Sequence, residues 1–213
     1  MSLRSLLRGL GTGLYHLSTL GMEKEHSFSR HGMYQSIRRA LASNHLQLGG
    51  SVLSISHSTH LLPILEASAT EVTEANFPEV NILNLPHADN RFDLLVSDQV
   101  FEHIQGLPSD AMAESLRVLK PGGWMLHTTC FFTPYHGPGD YWRWTAEGLA
   151  ELARHCGASQ VISGGAGHPA EMIYGLLGWR WFAVPKARWH PLRWLASLDR
   201  PSYWNTVWVL ARK

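Results

Sequence analysis

The stretch from Arg91 to Phe132, RFDLLVSDQVFEHIQGLPSDAMAESLRVLKPGGWMLHTTCFF, constrains the fold more than any other part of the chain. Its apolar run Leu94-Leu95-Val96 stops at the polar cluster Ser97-Asp98-Gln99. Ala111 to Leu119 then sets Met112, Leu116 and Leu119 at helical spacing and closes on Arg117 and Lys120, cations that suit the negative end of a helix. Pro121-Gly122-Gly123 stops that helix and turns the chain into a second apolar run, Trp124 to Thr129. Strand, helix, turn and strand make a βαβ unit, so the two strands are parallel and lie in a sheet covered by helices. Ligands of such sheets bind beyond the carboxyl ends of the strands. That places Asp98, Gln99 and His103 after the first of these strands, and Phe131 to Trp144 after the second.

The chain has 213 residues, which suits one domain with a full core. Its 45% hydrophobic and 16% charged residues place it among globular proteins. A net charge of +1 gives no reason to expect a nucleic-acid partner. Cys130 and Cys156 show no metal spacing and no disulfide framework, so a reducing, cytoplasmic setting is the default. No cluster at metal-ligand spacing is visible either, and no metal is expected. No apolar stretch approaches the roughly eighteen residues of a membrane span.

Met1 to Met22 carries Leu3, Leu6, Leu7, Leu10 and Leu14, with Arg4 and Arg8 on another face. A poor secretory signal or an amphipathic surface anchor would look similar. Gly9, Gly11 and Gly13 interrupt a signal's apolar core, so the preferred reading is a helix packed on the domain or over its cleft. His26 to Leu46 reads as a second helix, and Gly49-Gly50 ends this N-terminal helical cap, residues 1–50, before a first strand at Ser51 to Ser56.

FDLLVSDQVFEHI followed by ESLRVLKPGG, with Leu85-Pro86 and Asp89-Asn90-Arg91-Phe92-Asp93 upstream, resembles class I S-adenosylmethionine-dependent methyltransferases, most closely their small-molecule branch. The similarity runs from about Val52 to Ala158. It implies a three-layer, Rossmann-like α/β fold with a seven-stranded, mostly parallel sheet and helices on both faces. It also implies S-adenosyl-L-methionine as cofactor and an oxygen or nitrogen of a small organic molecule as methyl acceptor. The Rossmann-like core would occupy residues 51–213 of a single domain, with a Trp-rich insertion near 172–200.

In this family the first strand runs into an acidic residue and a glycine loop, because a Cβ there obstructs the cofactor or forbids the required φ. Here Ser54 stands at the acidic position, and Ser56, Ser58 and His60 stand where three glycines are common. Either Ser54, Ser56, His57 and Ser58 form a remodelled binding loop, since hydroxyls can bond the cofactor's carboxylate or ammonium, or the chain is a scaffold that has lost its ligand. The second strand, Thr70 to Ala75, would end on the acidic residue that holds both ribose hydroxyls; Glu74 is preferred to Glu71. The resemblance assigns Asn81 to the adenine amino group and Ile82 to a ring face, with Asp98, Gln99 and Val100 wrapping the cofactor. Asp98 reads equally as a helix cap.

The segment Phe132 to Thr145, FTPYHGPGDYWRWT, is too rich in Gly and Pro for a strand and too aromatic for a plain solvent loop. Its order is similar to a subset of the same superfamily. Tyr135, Asp140, Tyr141, Arg143 and Trp144 are the candidate substrate contacts, with an Asp140–Arg143 ion pair as the alternative. Thr145 is placed as the cap of the next helix. Methyl transfer needs positioning and removal of an acceptor proton, and histidine suits the second task. His136 is preferred as base and His103 comes next, although thirteen histidines mean that several are incidental. Gln160 to Ser163 and Thr206 to Ala211 read as the last two strands. Trp179, Trp181, Phe182, Trp189 and Trp194 between them read as packing or a lid, with membrane-surface contact less favoured and self-association left open.

Overall fold

The computed structural model describes residues 3–213; Met1 and Ser2, with the side chains of Leu3 and Arg4, lie outside that description. In chain order the elements are α1 (Leu3–Ser18), β1 (Lys24–Ser27), α2 (Phe28–Ser43), β2 (Gly49–Ile55), β3 (Ser68–Ala75), β4 (Phe92–Asp98), α3 (Pro108–Val118), β5 (Leu119–Cys130), α4 (Ala146–His155), β6 (Gln160–Ala166), α5 (Pro169–Leu176), β7 (Ala183–Pro185), α6 (Pro191–Ala196) and β8 (Thr206–Arg212). They divide into two compact units. One runs up to Ser36 and resumes at Ala166–Asn205; the other is Ile37–Gly165 with Thr206–Lys213.

The second unit holds a six-stranded sheet in the order β3-β2-β4-β5-β8-β6. β2, β3, β4 and β5 pair in parallel, and β8 runs antiparallel to β5. The sheet is mixed and has six strands where seven were expected. Between Ala75 and Phe92 the chain makes only turns and one isolated bridge, Asn81 to Asn84, because sixteen residues cannot hold a crossover helix and a further strand. The crossover after β2 is likewise shortened, to a 3₁₀ turn at Ser58–Leu61.

Apolar side chains of β2, β4 and β5 alternate into a core with α3 and α4, centred on Leu53, Leu95, Phe101, Met112, Met125 and Leu149, all fully buried. Burying each such side chain contributes on the order of 2 kcal/mol. α3 starts with Pro108 in its first turn, where the missing N–H costs nothing, and passes straight into β5 at Leu119. At the amino end of β2, a Cβ on Gly50 would stand 2.5 Å from the Asp93 carboxylate. Asp93 accepts from the Ser51 N–H and hydroxyl and pairs with Lys120 at 2.7 Å, which together hold its pKa down at about 2. The Phe-Asp and Lys-Pro-Gly-Gly pieces are therefore tied together as scaffold at the end of the sheet remote from the ligand ends of the strands.

The first unit packs Phe28, Tyr174, Val184 and Ala196 together with Trp179, Phe182, Leu192 and Leu195. α1 is continuous through all three of its glycines. Tyr15 stacks on Phe182 at 4.3 Å, and Gly11 lets the Trp179 ring approach so closely that a Cβ would lie 2.1 Å from it. Leu6, Leu7, Leu10, Leu14 and Leu17 face outward instead, so α1 meets its own unit through Gly11 and Tyr15 rather than through its leucines. A short strand, β1, pairs with β7 where the sequence reading had only the lead-in to a helix.

Candidate active site at the strand ends

The parallel strands bring Ser56, Glu74, Asp98 and Phe131 to one end of the sheet, each just past or at a carboxyl terminus. Ser56 and His57 both take the left-handed conformation, at φ 51° and 59°, as does Gln99 at φ 57°. Each such residue costs about 1–2 kcal/mol without glycine. His45, Glu66 and Asn90 are also left-handed in surface turns, so strain alone does not mark this end. The Ser56–His57 turn is stitched to the end of β3. Ser56 N donates to Ala75 O at 3.0 Å, His57 N donates to Asn76 Oδ1 at 2.9 Å, and Asn76 Nδ2 donates to Glu74 Oε2 at 2.9 Å. Glu74 remains 41% exposed, with the His57 imidazole 3.6 Å away.

The other serines face inward. Ser58 Oγ donates to Ile55 O at 2.5 Å and accepts from Asp98 N at 2.8 Å, which locks the loop to the end of β4. Ser54, on β2, is fully buried and its hydroxyl has no partner among the described residues. The Asp98 carboxylate is only 2% exposed: His60 Nε2 lies 2.9 Å from one oxygen, and Thr128 donates to the other at 2.5 Å. Asn81 is exposed and accepts from Leu83 N at 3.0 Å, whereas Ile82 is buried in the core. Val100 packs against the same core, and Gln99 N donates to Thr128 O at 2.9 Å.

The aromatic loop after β5 is held to the turn after β4. The carbonyl of Glu102 accepts from Tyr141 N at 2.8 Å and Trp142 N at 3.1 Å, and Trp142 Nε1 donates to Ile104 O at 2.9 Å. Arg143 grips Asp140 through both terminal nitrogens and also donates to the Trp142 carbonyl at 2.8 Å. Asp140, its side chain wholly enclosed, additionally accepts from His136 N at 3.2 Å and lies 3.2 Å from His136 Nδ1. The Arg143 hydrogen bonds hold the Asp140 carboxyl down at about 2. The ion pair thus accounts for Asp140 and Arg143, which brace the loop. Trp144 leans on the core beside Trp142, with its indole N–H buried and unpartnered among the described residues. Tyr135 and Tyr141 stay exposed. Thr145 caps α4 as expected, accepting from Gly148 N at 2.9 Å.

His103 and His136 come together. Their Nε2 atoms are 3.5 Å apart, and the far nitrogen of His103 lies 2.7 Å from Gly139 O. Beneath them Glu102 is buried and accepts from Thr129 at 2.8 Å. Cys130, close by, is pushed up to about 12 by burial and then by the charge of Glu102, which makes it an inert thiol. Glu102, Thr128, Thr129, Asn76 and the His60–Asp98 pair were not singled out from the sequence. Only the Glu102-His103 dipeptide just after a strand end could have signalled them.

S-adenosylmethionine asks for a carboxylate at the ribose, an acceptor at the adenine amino group, and polar groups around its amino-acid end. Glu74 and Asn81 fit the nucleoside end, because Glu74 is an exposed strand-end carboxylate able to take two hydroxyls. On the same side of the sheet the His60 side chain stands against Asp98, with Nε2 2.9 Å from its carboxylate.

Residues 35–127 match a family model described as a methyltransferase domain. Across the whole chain the structure is similar to a Thermotoga maritima S-adenosylmethionine-dependent methyltransferase described as a possible histamine N-methyltransferase, at 15% identity and a TM-score of 0.54, covering 97% of this chain and 98% of that one. It is also similar to the [4+2]-cyclase SpnF at 17% identity and a TM-score of 0.53, covering 98% and 94%. A Haemonchus contortus phosphoethanolamine N-methyltransferase 2 in complex with S-adenosyl-L-methionine matches at 15% identity and a TM-score of 0.52, covering 100% of this chain and 60% of that one. A search of curated proteins by sequence finds no match. Residues 35–127 thus match a methyltransferase domain, and the chain, with its sheet order β3-β2-β4-β5-β8-β6, has the Rossmann-like fold found in S-adenosylmethionine-dependent methyltransferases.

Proposed function

We propose that the chain binds S-adenosylmethionine across the carboxyl ends of β2, β3 and β4 and methylates an oxygen or nitrogen of a small organic acceptor beside His103 and His136. The observation that carries this reading is the paired imidazoles, held at the strand ends on the same side of the sheet as Glu74 and Asp98. Glu74 would hold the ribose hydroxyls and Asn81 the adenine amino group, with Ser56, His57 and Gln99 around the rest. When bound, the cofactor supplies an electrophilic methyl group on a sulfonium.

The chain's own residues supply position and a proton acceptor. Asp140 beside Nδ1 of His136 favours the tautomer with the proton on Nδ1, which leaves the Nε2 lone pair facing the site as a proton acceptor. Gly139 O does the same for His103. Arg143 keeps Asp140 ionised and fixes the loop, so the base arrives preorganised. Exposed Tyr135 and Tyr141 offer apolar walls with a polar tip to an acceptor. An acceptor screen with isotope-labelled methyl donor tests this. Turnover on a small amine or hydroxyl compound that falls at least about 100-fold in His103→Ala/His136→Ala supports the reading; full turnover by that folded variant contradicts it.

A second reading is favoured by one observation: His60 pairs with Asp98 in the space where a glycine loop admits the cofactor's amino acid. On that reading the chain is a binding scaffold. Binding of S-adenosylhomocysteine that appears only in His60→Gly would support the scaffold over the enzyme.

A further inference from the structure

His103, in the 3₁₀ turn after β4, and His136, in the loop after β5, are 33 residues apart in sequence, yet their rings are 5.2 Å apart and nearly perpendicular, at 81°. Hydrogen-bond partners assign their protons. Nδ1 of His103 donates to Gly139 O at 2.7 Å, and Nδ1 of His136 faces an Asp140 oxygen at 3.2 Å. Each Nε2 is then left with a lone pair, and the two lone pairs approach to 3.5 Å. Two facing lone pairs repel each other, and a cation between them would turn that repulsion into bonding. A shared proton would make an N–H···N bond at the far edge of hydrogen-bonding distance. A tetrahedral metal ion with bonds of about 2.05 Å would set its two imidazole nitrogens about 3.3 Å apart, close to the separation found.

A carboxylate completes the set. An oxygen of Glu102 and the two imidazole nitrogens all lie within 4.8 Å of one another. Glu102 is 1% exposed, accepts from Thr129 at 2.8 Å and lies within charge reach of Arg143, so its carboxylate is held in place beside the two imidazoles. The supporting shell is also in place. Metal-bound histidines usually donate their other N–H to a carbonyl or carboxylate, here Gly139 and Asp140, with Asp140 held in turn by Arg143.

We infer that Glu102, His103 and His136 form a binding site for one divalent first-row transition ion of the zinc class, with at least one coordination position open to a ligand. Two imidazoles and a carboxylate suit zinc, cobalt or iron(II) better than magnesium or calcium, which prefer all-oxygen sets. Ion binding is independent of methyl transfer. Its use there rests on the proposed function and would replace the general-base role, since a metal-bound Nε2 has no lone pair for a proton: the ion would hold an acceptor hydroxyl or amine and lower the acceptor's pKa. Sequence reading expected no metal because the ligands come from two strand ends rather than from one motif.

The test is titration of the chelator-treated, full-length protein with Co²⁺, followed by its visible absorption and by calorimetry. One equivalent of a tetrahedral or five-coordinate cobalt spectrum is expected, displaced by Zn²⁺. Affinity should fall at least about 100-fold in His103→Ala, in His136→Ala and in Glu102→Gln, and about tenfold in Asp140→Asn, while His45→Ala, on an exposed turn, leaves it unchanged. Imidazole ¹⁵N resonances of the unaltered protein provide a readout free of folding effects. Zn²⁺ should move the Nε2 signals of His103 and His136. Resonance changes at other histidines, affinity unchanged in the three ligand variants, or no binding at millimolar cobalt would each overturn the site. Metal binding without turnover would leave the site intact and count only against its catalytic use.

Discussion

Replacing Asp140 by asparagine removes one negative charge from a side chain that is wholly enclosed while facing Arg143 and His136. Arg143 holds the Asp140 carboxyl down at about 2, from an ordinary value of 3.8. A depressed folded-state pKa means that the ionised form stabilises the fold. The contribution is complete above about pH 4, where the unfolded carboxylate is also ionised, and is lost as pH falls through about 2. The difference in pKa corresponds to about 2 kcal/mol. Arg143 keeps 30% of its side chain in solvent, so its stranded charge in Asp140→Asn costs less than a fully buried one would. Urea unfolding at a series of pH values should show Asp140→Asn about 2 kcal/mol less stable than the unaltered protein at pH 7, with the gap closing between pH 4 and pH 2. An unchanged stability at pH 7, or a gap that persists at pH 2, would refute the assignment of Asp140 as the loop's ionised brace.

Three further outcomes follow from other parts of the chain. His127 is entirely buried, has a Ser97 bond at 2.7 Å and an Nε2 unpartnered among the described residues, and is pushed down to about 3 by burial. Its unfolded form gains a proton near pH 6.5 and its folded form does not, so stability should fall as pH drops from about 6.5 to about 3. Ser97→Ala/His127→Leu should flatten that part of the stability profile, as followed by urea unfolding. Along α1, Gly11→Ala should lower the melting temperature because the new methyl meets the Trp179 ring, a cost of about 1–3 kcal/mol. Gly9→Ala and Gly13→Ala meet nothing within 4 Å among the described residues and should instead gain about 0.5–1 kcal/mol from helix propensity, which thermal scans of the three variants would separate.

The parallel core was legible because its signals are local. The run Leu94-Leu95-Val96 and the helical spacing of Met112 and Leu116 report the same βαβ unit that β4, α3 and β5 form, although α3 ends at Val118 and Pro121-Gly122-Gly123 lies within β5 instead of in a turn before it. The strand count was not legible, because the family resemblance supplies seven while Asn76 to Arg91 is too short for another helix and strand. Within the site, the Asp140–Arg143 alternative could be written down from a three-residue spacing, and the structure makes that pair. The meeting of His103 with His136 depends on how far two separate strand ends lie from each other, which no spacing along the chain encodes. Burial was the other blind spot. Ile82 joins the core and Ser54 and Ser58 turn inward, because single polar or apolar letters in a short loop do not say which face they take. The N-terminal leucines point outward for a similar reason. Helical periodicity locates a stripe, but Gly11 and Tyr15 decide which side of α1 packs.

The most direct test of the central claim is calorimetric titration of the purified protein with S-adenosylhomocysteine, repeated on Glu74→Ala. Two hydroxyl-to-carboxylate bonds at the ribose are worth roughly 3 kcal/mol together, so micromolar binding should weaken about 100-fold in the variant while the fold is kept, Glu74 being an exposed residue at a strand end. No binding at millimolar ligand, or equal binding by both proteins, would contradict a cofactor site built on the ends of β2, β3 and β4.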